Sequence, residues 1–178
     1  MPRFVALLRG VNVGKAKRVP MADFRDLLTG LGYTRVATLL NSGNAVFDAA
    51  QGVPAEHGAA IAAAILARLK VQVPVVVVSA ADWAAIVEEL PFEVDAAEHP
   101  RCLVVFVQDS RSLPCLAAVE PSLLPGERFA IGAHAAYLLC AAGILQSQAG
   151  AALLGTVAGP ATTRNWATVH KLLALTVE

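Results

Sequence analysis

Arg3-Phe4-Val5-Ala6-Leu7-Leu8, running directly into Arg9-Gly10-Val11-Asn12-Val13-Gly14-Lys15-Ala16-Lys17-Arg18, is the stretch whose reading decides the fold. An apolar run bounded by charge reads as a strand buried on both faces, and therefore as one in the middle of a sheet. The loop it delivers changes character at once: two glycines, one asparagine and four cations fall within ten residues. Glycines beside cations at a strand exit can turn backbone N–H groups toward an anion, with Arg9 and Lys15 supplying charge. The loop is not a phosphate loop of the GxxxxGK type. Its spacing is one residue short, and Ala16 stands where that motif needs a magnesium-binding hydroxyl.

Downstream, Met21, Phe24, Leu27, Leu28 and Leu31 recur at helical spacing between Pro20 and the exit glycines Gly30 and Gly32. Val36 to Leu40 reads as a strand, Asn41-Ser42-Gly43-Asn44 as a tight turn, and Ala45 to Phe47 as the returning strand. Pro54 to Lys70 reads as a helix with an apolar stripe at Ile61, Ile65, Leu66 and Leu69. Val73 to Val78 is another strand, with Pro74 at an edge or entry because it cannot donate to a ladder. The order is βαββαβ, the ferredoxin-like arrangement in which strands one and two are parallel with strand three between them. Parallel strands deliver their loops to the same end of the sheet. Arg9–Lys15 and Asn41–Asn44 are therefore expected to be neighbours.

Ser79 and Asp82 suggest a capping box opening a helix through Leu90, with Trp83, Ile86, Val87 and Leu90 as its buried stripe. Pro91 to Pro100 reads as a linker. Beyond it the pattern returns: strand Cys102–Val107, a short helix near Leu113–Val119, strands Arg128–Ile131 and Ala136–Cys140, then helical material. Thr162 or Thr163 can cap a last helix. On it Trp166, Val169, Leu173 and Val177 fall on a packing stripe, and Arg164, Thr168 and Lys171 on a polar one. The fold expected is α+β, with two related ferredoxin-like subdomains (βαββαβ and a degenerate βαββα) followed by a C-terminal helix. Residues 1–79 form the first subdomain, 80–100 a connecting helix and linker, and 101–178 the second.

The 178 residues are 56% hydrophobic, which excludes a disordered chain, and the net charge of zero excludes a global pull toward nucleic acid or acidic lipid. Cys102, Cys115 and Cys140 are odd in number and widely spaced, and read as buried thiols of a reducing cytosol. The N-terminal apolar core is too short for a signal peptide. Phe129 to Thr163 carries no Asp, Glu, Lys or Arg, but its glycines, glutamines and the Gly159-Pro160 break make it a poor membrane span. A cytoplasmic location with no membrane partner is expected. His57, His99, His134 and His170 are never at metal-ligand spacing, so neither metal nor cofactor is expected.

The loop, the turn and the last helix together suggest a polar cleft. Arg9, Asn12, Lys15, Asn41, Ser42 and Asn44 would form one wall, and Arg164, Asn165 and Lys171 the other. Gly10, Gly14, Gly43, Trp166 and Thr168 are structural members of the same motifs. The expected ligand is a phosphate-bearing small molecule or a nucleic-acid backbone. An enzyme using Ser42 or His170 on an anionic substrate, and a structural or interaction module with no ligand, are the alternatives.

Three motifs carry a resemblance to a family of unknown function, DUF1697. They are Leu7 to Gly14 with Met21 behind it, Leu39 to Phe47, and Thr163 to Leu172. The resemblance implies a mainly bacterial, cytosolic α+β protein of two related subdomains. It marks Arg9, Gly10, Asn12, Gly14, Asn41, Ser42, Gly43, Asn44, Arg164, Asn165, Trp166, Thr168 and Lys171. Lys15 departs from the second glycine common in relatives, and Gln146-Ser147-Gln148 replaces a serine-lysine pair. The family's activity is unassigned, so the resemblance locates a site without naming a reaction.

Overall fold

The computed structural model describes all 178 residues, and its contacts divide the chain into two units, Met1–Trp83 with Leu172–Glu178, and Ala84–Lys171. In the first unit the elements are β1 (Arg3–Leu8), α1 (Met21–Gly30), β2 (Thr34–Leu39), β3 (Asn44–Asp48), α2 (Pro54–Leu69) and β4 (Val75–Ser79). β1 pairs antiparallel with β3 on one side and β4 on the other, so it occupies the interior position that its apolar run dictates. The order is β2-β3-β1-β4, with strand three between strands one and two as expected. Phe4, Ala6 and Leu8 join Phe24, Leu28, Phe47, Ile61 and Ile65 in one core, while Val5 and Leu7 on the opposite face are also fully buried. Such double-faced burial is why β1 reads as continuously hydrophobic rather than alternating. Pro74 lies just ahead of β4, at the edge of the sheet, where a missing N–H costs no ladder bond.

Two polar groupings are built into this unit. The Asp48 carboxylate, 4% exposed, accepts from Arg3 at 2.7 Å and from Arg35 at 3.1 Å, and Arg3 Nε donates to the Leu175 carbonyl at 3.0 Å. His57 is buried among Phe4, Tyr33 and Phe47, with its Nδ1 2.9 Å from the Tyr33 hydroxyl. Burial pushes the His57 pKa down, against a smaller upward pull from Glu56, so the folded protein binds fewer protons than the unfolded chain. Stability is then full above the unfolded histidine value near 6.5 and declines as pH falls through it. Urea midpoints at about pH 5 and about pH 7.5 should differ less in His57→Gln, which keeps a partner for Tyr33 but takes up no proton. Equal differences in both proteins would contradict this.

α3 (Ala80–Glu88) begins as expected, with Ser79 Oγ accepting from the Asp82 amide at 3.1 Å and donating to its carboxylate at 2.8 Å. It ends at Glu88, two residues short of Leu90, because Pro91 disfavours helical geometry before it. The expected linker 91–100 is not structureless. Asp95 and Glu98 form a capping box that opens a 3₁₀ turn over Ala96–Arg101.

The second unit contains β5 (Cys102–Val107), β6 (Arg128–Ile131), β7 (Ala136–Leu139), the short α4 (Gln148–Ala152) and β8 (Ala161–Asn165), followed by α5 (Trp166–Thr176). Its sheet runs β6-β7-β5-β8, repeating the first sheet strand for strand. The second half therefore adds a fourth strand, β8, to the expected βαββα. β8 was the element hidden in the sequence. Its register against β5, Val107↔Ala161 through Leu103↔Asn165, places Thr162, Thr163 and Arg164 in a strand, where β-branched threonine suits the pleat as well as it suits a helix cap. The expected short helix at 113–119 is part of a 3₁₀ segment, Ser110–Ser122. Pro114 and Pro121 remove α-helical donors, and Leu113, Leu116 and Val119 repeat every third residue, the 3₁₀ period, to bury one face.

The units also differ in extent from the boundaries 79, 100 and 101 expected above. Residues 84–100 group with the second sheet, where Glu89 accepts from the Ala133 and His134 amides and from the Tyr137 hydroxyl, and where Tyr137 also donates to the Ile86 carbonyl. Residues 172–178 group with the first. Of the cysteines, Cys102 and Cys140 are buried, but Cys115 is exposed on the solvent side of the 3₁₀ segment.

Candidate functional site

The loop leaving β1 and the turn between β2 and β3 meet as the topology requires. Leu8 N donates to Gly43 O at 2.8 Å, Arg9 N to Pro74 O at 3.0 Å, and Asn12 Nδ2 to Asn41 O at 2.7 Å. The approach depends on Gly43. Its φ of +87° lies in the left-handed region, and a Cβ there would sit 2.6 Å from Leu8 Cβ and 2.9 Å from Val11 Cγ2.

Asn12 is the clasp of the loop. Its Oδ1 accepts from Val19 N at 2.9 Å, its Nδ2 donates to Val19 O at 2.8 Å as well as to Asn41 O, and its own N–H donates to Lys17 O at 3.1 Å. Both amide hydrogens are committed to carbonyls, so Asn12 holds the loop rather than offering donors outward. Asn12→Asp keeps the Val19 amide bond but sets a carboxylate against two carbonyl oxygens. It should cost about 2 kcal/mol in urea unfolding, and a loss below half of that would show the clasp to be dispensable. Asn44, wholly buried, plays a similar part in the turn, donating to Leu39 O at 2.8 Å and to Ser42 Oγ at 2.9 Å.

The other expected contact residues face outward: Arg9 is half-buried, and Lys15, Asn41 and Ser42 are exposed. Backbone handedness alternates through the loop, with positive φ at Gly10 (68°), Asn12 (57°) and Gly14 (64°) and negative φ between them. Such alternation turns successive N–H groups to one side. The amides of Gly10, Val11, Val13, Gly14 and Lys15 make no hydrogen bond within the chain. A hollow of about 190 Å³ beside the loop is lined by Asn12, Arg18, Pro20 and Asn41. Arg18 was not among the residues expected to bind ligand, although the cationic run Lys15-Ala16-Lys17-Arg18 already pointed to it.

The last polar segment, in the second unit, corrects the sequence reading. α5 starts at Trp166 and not at Thr162 or Thr163, and its cap is Asn165, whose Oδ1 accepts from Thr168 N at 2.9 Å. Arg164 is in β8, 8% exposed, donating to Thr162 Oγ1 at 2.9 Å and to Thr163 O at 2.8 Å. Burial pushes its guanidinium pKa down to about 10. Thr168 is buried and Lys171 exposed, so Arg164, Thr168 and Lys171 do not form one polar stripe. Of the expected packing stripe, Trp166 and Val169 are buried, Leu172 rather than Leu173 completes it, and Val177 is 80% exposed. His170 lies edge-on to Trp166 at 4.8 Å and parallel to His99 at 6.0 Å. Burial and then the neighbouring imidazole hold its pKa below the ordinary histidine range.

No group of three or more His, Cys, Asp and Glu side chains is placed to hold a metal ion, and no helix is long and apolar enough to cross a membrane. The family model described as "Protein of unknown function (DUF1697)" matches residues 1–137, a span that includes the loop, the Asn41–Asn44 turn and the whole first sheet. The chain belongs to this family. The fold of this DUF1697 protein is also similar to a solved structure described as that of conserved bacterial protein SP0830 from Streptococcus pneumoniae. The two are 26% identical, with 98% of each chain covered and a TM-score of 0.78. No curated protein matches the DUF1697 chain.

Proposed function

We propose that the protein binds a phosphate-bearing or similarly anionic ligand at the loop leaving β1. The amides of Gly10, Val11, Val13, Gly14 and Lys15 would be the cradle, Arg9 and Lys15 the charges, and Asn41 and Ser42 the polar rim. The reading is carried by the alternating backbone of Gly10, Asn12 and Gly14, which leaves the N–H groups on either side of Asn12 without internal partners. Asn12 and Asn44 support it by holding the loop and the turn in place, which lowers the entropy cost of binding. A charge-assisted contact from Arg9 or Lys15 is worth about 1.5 to 3 kcal/mol.

The test is a thermal-unfolding titration of the full chain with inorganic phosphate, pyrophosphate, nucleoside monophosphates and a short oligonucleotide. A ligand at about a hundred times its Kd stabilises the native state by about 2.7 kcal/mol. The expected result is a saturable rise in Tm with at least one of these, lost in Arg9→Ala/Lys15→Ala. A steep salt dependence confined to the oligonucleotide would assign the cradle to a nucleic-acid backbone, and a shallow one with a mononucleotide to a small molecule. The absence of any shift, or a shift unchanged in the double variant, would overturn the proposal.

A further inference from the structure

A groove of about 670 Å³ lies in the first unit, on the open face of α2, and shares no lining residue with the hollow at Asn12 and Asn41. Its floor is apolar. Ala62, Ala63 and Leu66 line it from the helix, and Val71 adds to it from the segment leading to β4. The small side chains at 62 and 63 leave the depth, and Leu66, one turn on, remains 49% exposed although it belongs to the helix's apolar stripe. Lys17 of the basic loop and Lys70 at the end of α2 also line the groove, and no carboxylate does. Both lysines have left-handed backbone, φ 50° and 57°, a conformation that costs a non-glycine residue energy. Lys70 Nζ donates to Ala67 O at 2.8 Å, which leaves two of its three hydrogens for another acceptor.

We infer that this groove binds a small amphipathic anion, an apolar body of aromatic-ring size carrying a phosphate, sulfonate or carboxylate. The body lies over Ala63, Leu66 and Val71, and the anion is held by Lys17 and Lys70. The volume falls within the range of small-molecule sites, and an apolar floor with a few convergent charges is their usual chemistry. The lysine-only charge of the lining selects against cations, and the apolar floor selects against bare inorganic ions.

The experiment is a fluorescence titration of the native full-length protein with 8-anilinonaphthalene-1-sulfonate, using 1-naphthyl phosphate and inorganic phosphate as competitors. Saturable single-site binding is expected, displaced by 1-naphthyl phosphate and not by inorganic phosphate. Lys70→Glu and Leu66→Glu, both at exposed positions, should each weaken the dye by about tenfold or more. Lys70→Arg should retain it, and Ala63→Trp should remove it by filling the groove. Thermal unfolding of each variant establishes that the native fold is present. Wild-type dye affinity in both glutamate variants, or displacement by inorganic phosphate as effective as by 1-naphthyl phosphate, would overturn the inference.

Discussion

Gly43→Ala should lower the unfolding free energy by about 3 kcal/mol or more, a large effect for one methyl group. Two costs add. The alanine must hold a φ of +87°, which side chains rarely adopt, and its Cβ must find room 2.6 Å from Leu8 Cβ and 2.9 Å from Val11 Cγ2. Neither neighbour can step aside easily. Leu8 is in the ladder with β4, and Val11 is 2% exposed at the root of the basic loop. The turn would have to lift from β1, breaking the Leu8 N to Gly43 O bond and pulling Asn41 from the Asn12 amide. Any Tm shift caused by phosphate should fall with it. The measurement is urea unfolding with and without phosphate, and a midpoint within about 0.5 kcal/mol of wild type would show the turn to be far more yielding than its geometry.

Asp48→Ala is the second change with a large expected effect, about 3 to 5 kcal/mol. The Asp48 side chain is buried and balances Arg3, whose side chain is itself only 11% exposed. Without it the Arg3 guanidinium stays in the interior with the Leu175 carbonyl as its remaining partner, while Arg35, half in solvent, loses little. A double-mutant cycle separates lost attraction from stranded charge. Arg3→Met/Asp48→Val removes both ions and should recover most of the stability, because an apolar replacement of a buried pair is often neutral. If the single substitution costs less than about 1 kcal/mol, the pair is surface-like in its energetics and the account is wrong.

Much of the first sheet could be read from the residues because each clue had one physical meaning. An apolar run bounded by charge had to be interior, and the parallel relation of strands one and two had to bring Arg9–Lys15 and Asn41–Asn44 together. Where a residue type serves two geometries, the reading failed. Thr162 and Thr163 suit a helix cap and a strand equally, and only the pairing with β5 over a long separation decides between them. Leu113, Leu116 and Val119 fit a helical pattern loosely, while the prolines that make the segment 3₁₀ were open to view.

The meeting of the loop and the turn was legible in the sequence, and the roles of their side chains were not. Asn12, Asn41, Ser42 and Asn44 all look like ligand donors, yet Asn12 and Asn44 donate to the protein's own carbonyls. Local sequence does not reveal left-handed backbone, which is what directs the Asn12 side chain back onto Val19. The sequence reading puts Arg164 on the polar stripe of the last helix, in one wall of a cleft. Its burial in β8 follows from a strand that the sequence had hidden.

The bond between Arg3 and Leu175 sets an order of events at synthesis. β1 leaves the ribosome before the second unit, and its partner carbonyl is made only after every residue of that unit. The early half must therefore persist as a nascent, incompletely closed body while translation proceeds, its Arg3 and Asp48 already able to pair. Residues 172–178 then act as a latch rather than a nucleus, so a stop introduced just before them should leave chains that protease cuts faster.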